Sequence, residues 1–205
     1  MGALLEPRRR IAREAARLIY TGYEEEYIQA KERATRDLGL SSMPSNYEVA
    51  IELDRLADEL EGWGRRERLI DMRRAALDVM RSISEYCPRL IGSVWRGTAR
   101  RGSDIDISLY SNDVEGVKAQ LMREYPILKT ERTSYTLGEQ PRTSHHIWIK
   151  VGEHEAEIVV RHPKDQQTEY CEIYGDRKSG LTLEALNKLM RDDPLRRFIP
   201  RRRGY

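Results

Sequence analysis

The side-chain periodicity of this chain changes at Pro88. Before it, apolar residues recur every three to four positions. Ile11, Ala15, Leu18 and Ile19 lead into Tyr23, Tyr27, Ala30 and Ala34, and Leu69, Met72, Ala76, Val79 and Ile83 repeat the pattern. After it, the segment DIDISLY alternates strictly, with Asp104, Asp106 and Ser108 on one side and Ile105, Ile107 and Leu109 on the other. A stretch with a period near 3.6 cannot serve as a strand, and a stretch with a period of 2 cannot serve as a helix. The chain is therefore read as α+β: an N-terminal helical region, followed by a small mixed or antiparallel sheet flanked by helices. The division is placed at 1–87 and 88–205.

Within the first part, one helical run is expected from Glu6 to Leu38, interrupted only at Gly22 and stopped by Gly39. Ser45, with Glu48 three residues on, has the spacing of a capping box and starts a second helix ending near Gly62 and Gly64. A third runs from Arg65 to Tyr86. In the second part, RLIGSVW is expected to form a short strand and a tight turn, and strands are expected at about 104–110, 127–136, 144–151 and 154–161. Gly152 and Glu153 turn the last two strands into a hairpin. Helices are expected at 112–124 and 181–190, the latter capped by Thr182. The basic tail from Pro194 is read as loosely ordered.

Composition excludes several classes. Hydrophobic residues make up 39% of the 205-residue chain and charged residues 34%, enough for a core beneath a densely charged surface. The net charge is only +2, yet 29 arginines stand against 7 lysines. Arginine is the better bidentate partner for phosphate and carboxylate, and the same bias follows from genome composition or a hot habitat. Cys87 and Cys171 lie too far apart for a zinc knuckle and read as reduced cysteines of a cytoplasmic protein. No apolar run is long enough for a membrane span, and the N-terminus lacks the apolar stretch of a secretion signal.

The chemistry concentrates in residues 91–106, IGSVWRGTARRGSDID. Asp104 and Asp106, two apart on a strand, point the same way, and their mutual repulsion is relieved by a divalent cation. Mg2+ (or Mn2+) suits one or two carboxylates completed by substrate phosphate oxygens. A third acid comes from the strand HEAEIVV. Glu157 sits deepest in its apolar run, and Glu155 is the alternative on the same side. Upstream, Gly92 lets the backbone approach a ligand closely, Ser93 supplies a hydroxyl, and Arg96 lies one helical turn on, a set suited to phosphate. Arg100 and Arg101 read as a solvated turn.

Taken together, GSVWRGTARRGSDIDI and the later strand acid resemble the signature of the polymerase-beta-type nucleotidyltransferase superfamily. The similarity is greatest to its minimal domains, through Arg96, Gly97, Ser103, Asp104, Ile105 and Asp106. It covers about 88–161. The resemblance implies that Asp104, Asp106 and Glu157 ligate two Mg2+ ions, and that Gly92, Ser93, Arg96 and Ser103 bind the nucleotide. It also implies transfer of a nucleoside monophosphate from an NTP to an acceptor hydroxyl on RNA, a protein or a small molecule; nothing in the residues selects the base, and ATP is the default expectation. Pyrophosphate would leave. One departure is that the third acid is Glu where the family more often has Asp. The alternative is a catalytically silent nucleotide- or nucleic-acid-binding module on the same fold.

The remaining residues say less. His145, His146, His154 and His162 have no metal-ligand spacing; His146 could face the site from its strand, but reads rather as an exposed strand histidine. Residues 1–87 contain no histidine, which argues against the Arg–x(4–6)–His nucleases that accompany some minimal nucleotidyltransferases. That region is read as recognising the acceptor, bracing the catalytic domain or mediating homo-oligomer formation. Arg196, Arg197 and Arg201–Arg203 either touch an RNA acceptor or form a solvated end.

Overall fold

The computed structural model describes the backbone of residues 2–137 and 140–200, and the side chains of 6–136 and 140–200. The chain forms two compact units, residues 1–65 with 170–176, and residues 66–169 with 177–205.

The first unit is helical. Helices α1 (Gly2–Tyr20) and α2 (Tyr27–Leu38) replace the single run expected to Leu38. The chain turns between them at Gly22, whose φ of +73° favours glycine. Gly39 ends α2 in the left-handed conformation. Helix α3 (Asn46–Ser82) is broken at Gly62 (φ 55°, ψ −130°), near the expected boundary, and the chain passes into the second unit within it. The capping box forms: Ser45 N donates to Glu48 Oε2 at 2.6 Å, and Glu48 N donates to Ser45 Oγ. Ile11, Leu18, Ile19 and Val49, with five alanines (Ala12, Ala15, Ala16, Ala30 and Ala34), make the core of this unit, and the alanines leave room for helices to approach closely. Along its edge, Arg8 grips Glu48 with two hydrogen bonds of 2.7 Å, and Arg9 and Arg13 approach the buried Glu52.

The second unit carries a six-stranded mixed sheet. Its elements are β1 (Arg89–Ile91), α4 (Gly92–Arg96), β2 (Ile105–Tyr110), α5 (Val114–Met122), β3 (Ile127–Leu137), β4 (Gln140–Val151), β5 (His154–Arg161), β6 (Leu181–Thr182) and α6 (Leu183–Asp192). The strand order is β3-β4-β5-β2-β1-β6. Only β2 and β5 run parallel, and the other neighbours are antiparallel. Thr182 caps α6 as expected by accepting from Ala185 N, whereas β6 carries no alternation to betray it, being two residues long. Ile105, Ile107 and Leu109 of β2 and Ala156, Ile158 and Val160 of β5 are buried with Met72, Met80, Val117, Leu121 and Leu186. The alternation read in DIDISLY thus turns one face of β2 into the core and leaves the other for Asp104 and Asp106.

The tail differs from expectation. Arg73 is fully buried on α3, and its guanidinium donates to four backbone carbonyls: Val94 and Trp95 of α4, and Pro194 and Arg196 beyond α6. Phe198 N donates to Arg96 O at 2.9 Å. Residues 194–198 are therefore fastened, while the arginine run 201–203 lies outside the described residues. Both cysteines are free. Among the described residues, no helix is long and apolar enough to cross a membrane.

Candidate active site

Register brings the acids together. In the parallel pair of β2 and β5, Asp106 lies opposite Glu157, and in the antiparallel pair of β1 and β2, Ile91 lies opposite Asp106. Asp104 precedes β2 by one residue. Asp104, Asp106 and Glu157 each offer one carboxylate oxygen, and these oxygens all lie within 4.8 Å of one another. Glu155 is exposed two residues away and stands opposite Lys150 on β4, outside the group.

The chain then folds the Gly–Ser turn onto this cluster. Gly92 has φ +68°, and a Cβ built there would stand 1.9 Å from Asp106 Oδ2. Only a residue without a side chain lets β1 pass into α4 at this distance from the carboxylate. Ser93 follows, half-buried, and among the described residues its Oγ makes no hydrogen bond. The backbone carbonyl of Ser93 closes α4 by accepting from Thr98 N.

Burial and like charges act on Asp106 in the same direction. Burial, then the charges of Asp104 and Glu157, push its carboxyl up to about 8. An all-oxygen donor set with repelling carboxylates fits a hard divalent cation, Mg2+ or Mn2+, better than a soft metal.

Two other candidates are placed differently. Arg96 is 4% exposed, with its guanidinium donating to Phe198 O at 2.9 Å and lying 4.2 Å from the Trp95 ring centroid. It presents little surface to a phosphate and belongs to the packing of the 194–198 segment. Ser103 closes the turn before β2: its Oγ accepts from Arg100 N, and its N–H donates to Arg100 O.

One residue set aside in the sequence joins the cluster. His146 on β4 places Nδ1 2.6 Å from Glu157 Oε1 and Nε2 2.8 Å from Ser144 Oγ. Ser144, His146 and Trp148 alternate onto one face of β4, a pattern visible in the sequence. The pairing of Trp148 with Glu157, which carries His146 to the acid, depends on a register that no single strand encodes.

No protein-family model and no curated protein matches the chain. Solved structures are similar to it at low identity. A mutant of the Cid1 poly(U) polymerase bound to MgATP is 16% identical over 53% of this chain and 38% of that one, with a TM-score of 0.33. Cid1 in complex with the UTP analogue UMPNPP is 16% identical, covering 53% and 36%, with a TM-score of 0.33. A cytoplasmic RNA terminal U-transferase is 17% identical, covering 56% and 34%, with a TM-score of 0.27. The chain spans little more than a third of the length of these proteins. Each likeness covers about half of this chain.

Proposed function

We propose that this protein is a divalent-cation-dependent nucleotidyltransferase that moves a nucleoside monophosphate from an NTP to an acceptor hydroxyl. The observation that carries the reading is the meeting of Asp104, Asp106 and Glu157 oxygens within 4.8 Å, with the backbone of Gly92 seated against Asp106. A solvated strand end does not require such a seat, and a phosphate site beside a metal site does.

Asp104, Asp106 and Glu157 would hold the cation. When bound, Mg2+ or Mn2+ supplies charge neutralisation for the phosphates and acidifies a coordinated hydroxyl. The chain's own contribution is placement. The Gly92–Ser93 turn offers backbone N–H groups and an unengaged hydroxyl to the phosphates, next to the acids. In the reaction the acceptor hydroxyl gives up its proton to solvent as its oxygen bonds to the α-phosphorus, the bond from that phosphorus to the α,β-bridging oxygen breaks, and pyrophosphate leaves.

The test is incubation with each α-labelled NTP, Mg2+ or Mn2+, and total RNA or cell lysate, beside an Asp104→Ala/Asp106→Ala control. Labelling of RNA or protein that disappears in the double variant is expected. The labelled species names the acceptor, and the preferred NTP names the base. Labelling that survives the double substitution would remove the assignment of this site.

A further inference from the structure

The third acid of the cluster is a glutamate, which has one more rotatable side-chain bond than an aspartate. An unsupported glutamate on a strand surface samples several rotamers and spreads its carboxylate over a larger volume. Here it is held. His146 Nδ1 lies 2.6 Å from Glu157 Oε1, and His146 Nε2 lies 2.8 Å from Ser144 Oγ. Ser144 is 4% exposed, and its Oγ lies 3.5 Å from the Thr133 carbonyl of β3. The imidazole stacks on Trp148, with ring centroids 5.7 Å apart and planes inclined by 20°. Since Trp148 is the direct cross-strand partner of Glu157, His146 is the diagonal one, and its ring spans that diagonal.

A serine, a histidine and an acid hydrogen-bonded in series is also the order of a hydrolase relay. The burial of Ser144 excludes that use, because a substrate carbonyl cannot reach its Oγ. The series therefore works in the other direction, from the interior toward the carboxylate.

We infer that His146, anchored by Ser144, is a positioning residue for Glu157. By holding Oε1 it removes the rotamer freedom that the extra methylene introduces and keeps the carboxylate beside Asp104 and Asp106. A glutamate can then occupy a position that a shorter acid would otherwise fill. This inference rests on reading the three acids as a cation site. Partners that orient metal-binding carboxylates and imidazoles are worth on the order of 10- to 100-fold in metal affinity.

The test uses the full chain and Mn2+ as probe, counting free Mn2+ by electron paramagnetic resonance at a single pH, with thermal melting as the folding control. His146→Phe keeps the ring and its stacking on Trp148 but removes both nitrogens. It is expected to weaken Mn2+ binding by roughly 10- to 100-fold with little change in melting temperature. His146→Asn, whose amide nitrogen occupies the place of Nδ1, is expected to recover most of the loss. Ser144→Ala, which removes only the anchor, is expected to lose several-fold, and it carries the test if His146→Phe does not fold. Wild-type affinity in His146→Phe or in Ser144→Ala, while Glu157→Gln loses binding, would overturn the inference and leave the cation site intact. A His146→Asn protein as weak as His146→Phe would also overturn it. If Glu157→Gln and Asp106→Asn both bind Mn2+ like the wild type, the cation site itself is wrong.

Discussion

At Gly92 the space beside the backbone is taken by the carboxylate of Asp106, and the backbone stands at φ +68°. Gly92→Ala meets both obstacles at once: the methyl collides with Oδ2, and the left-handed backbone disfavours any side chain. The turn or Asp106 must then move, and displacements on the order of 1 Å at a site of this kind cost about 100-fold in rate. Nucleotidyl transfer by Gly92→Ala is therefore expected to fall about 100-fold or more, beyond anything its urea midpoint explains; near-normal turnover would show that the turn does not serve the phosphates. Residue by residue, the sequence disclosed what alternation alone can disclose. Asp104 and Asp106 declared their common face through a period of two, and Glu157 through its place in HEAEIVV. For His146 the sequence left a site-facing and an exposed reading open, because its partner lies on another strand and the pairing is set by the hairpin at Gly152 and Glu153. Arg96 looked one turn from Ser93, but its side chain answers to residues 194–198, about a hundred positions later.

Among the elements, the short helix α4 depends most on others. It has five residues, too few to be stable alone. Arg73 reaches from α3 to the carbonyls of Val94 and Trp95 at its C-terminal end, and to Pro194 and Arg196 on the returning chain. Burial lowers the Arg73 pKa to about 10, with the charge of Asp193 opposing, so the guanidinium stays charged at neutral pH. Arg73→Met fills much of the same volume but strands these carbonyls. Each buried carbonyl without a partner costs about 1–3 kcal/mol, so a loss of about 3 kcal/mol or more is expected from chemical denaturation. A loss below about 1 kcal/mol would mean that water replaces the guanidinium at those carbonyls. Helix starts were legible where they carry chemistry, as at Ser45 and Thr182. Of two glycines, one was harder to weigh. Gly22 separates two helices where one was expected, whereas the break at Gly62 falls where a helix end was expected.

For the molecule as a whole, the two units answer pH in opposite senses. In the first unit, burial alone would raise the Glu48 carboxyl, but hydrogen bonds from Arg8 and from the Ser45 backbone and hydroxyl more than reverse this and hold it near 2. Its folded pKa lies below the ordinary 4.5, so its stabilisation is present above 4.5 and is lost as pH falls from there toward 2. In the second unit, Asp106 is raised from 3.8 to about 8. The folded state keeps a proton that the unfolded state has released, so stability without a divalent cation declines as pH rises across that interval. Segment-resolved hydrogen exchange in EDTA should show residues 8–60 losing protection below pH 4.5, and β2 and β5 losing it between pH 5 and 8. Millimolar Mg2+ should remove the second loss and not the first. Protection of β2 that rises with pH in EDTA would contradict the desolvation of Asp106. The charge balance of +2 gave no hint of this opposition, which comes from which acids are paired with arginine and which are crowded with other acids.

The clasp made by Arg73 also has a consequence in time. One of its carbonyl partners, Arg196, lies 123 residues further along the chain. A contact of such span pays its loop-closure entropy before it returns any stability, so it forms late in folding. The hairpin of β4 and β5, with two residues between its strands, can assemble early by comparison. Asp106 and Glu157, which meet through the pairing of β2 and β5, span less than half the distance from Arg73 to Arg196 along the chain, so the acids would meet before the Gly92 turn is braced over them. On the function proposed above, such an intermediate would hold a cation before it could seat a triphosphate, and competence for metal would precede competence for nucleotide.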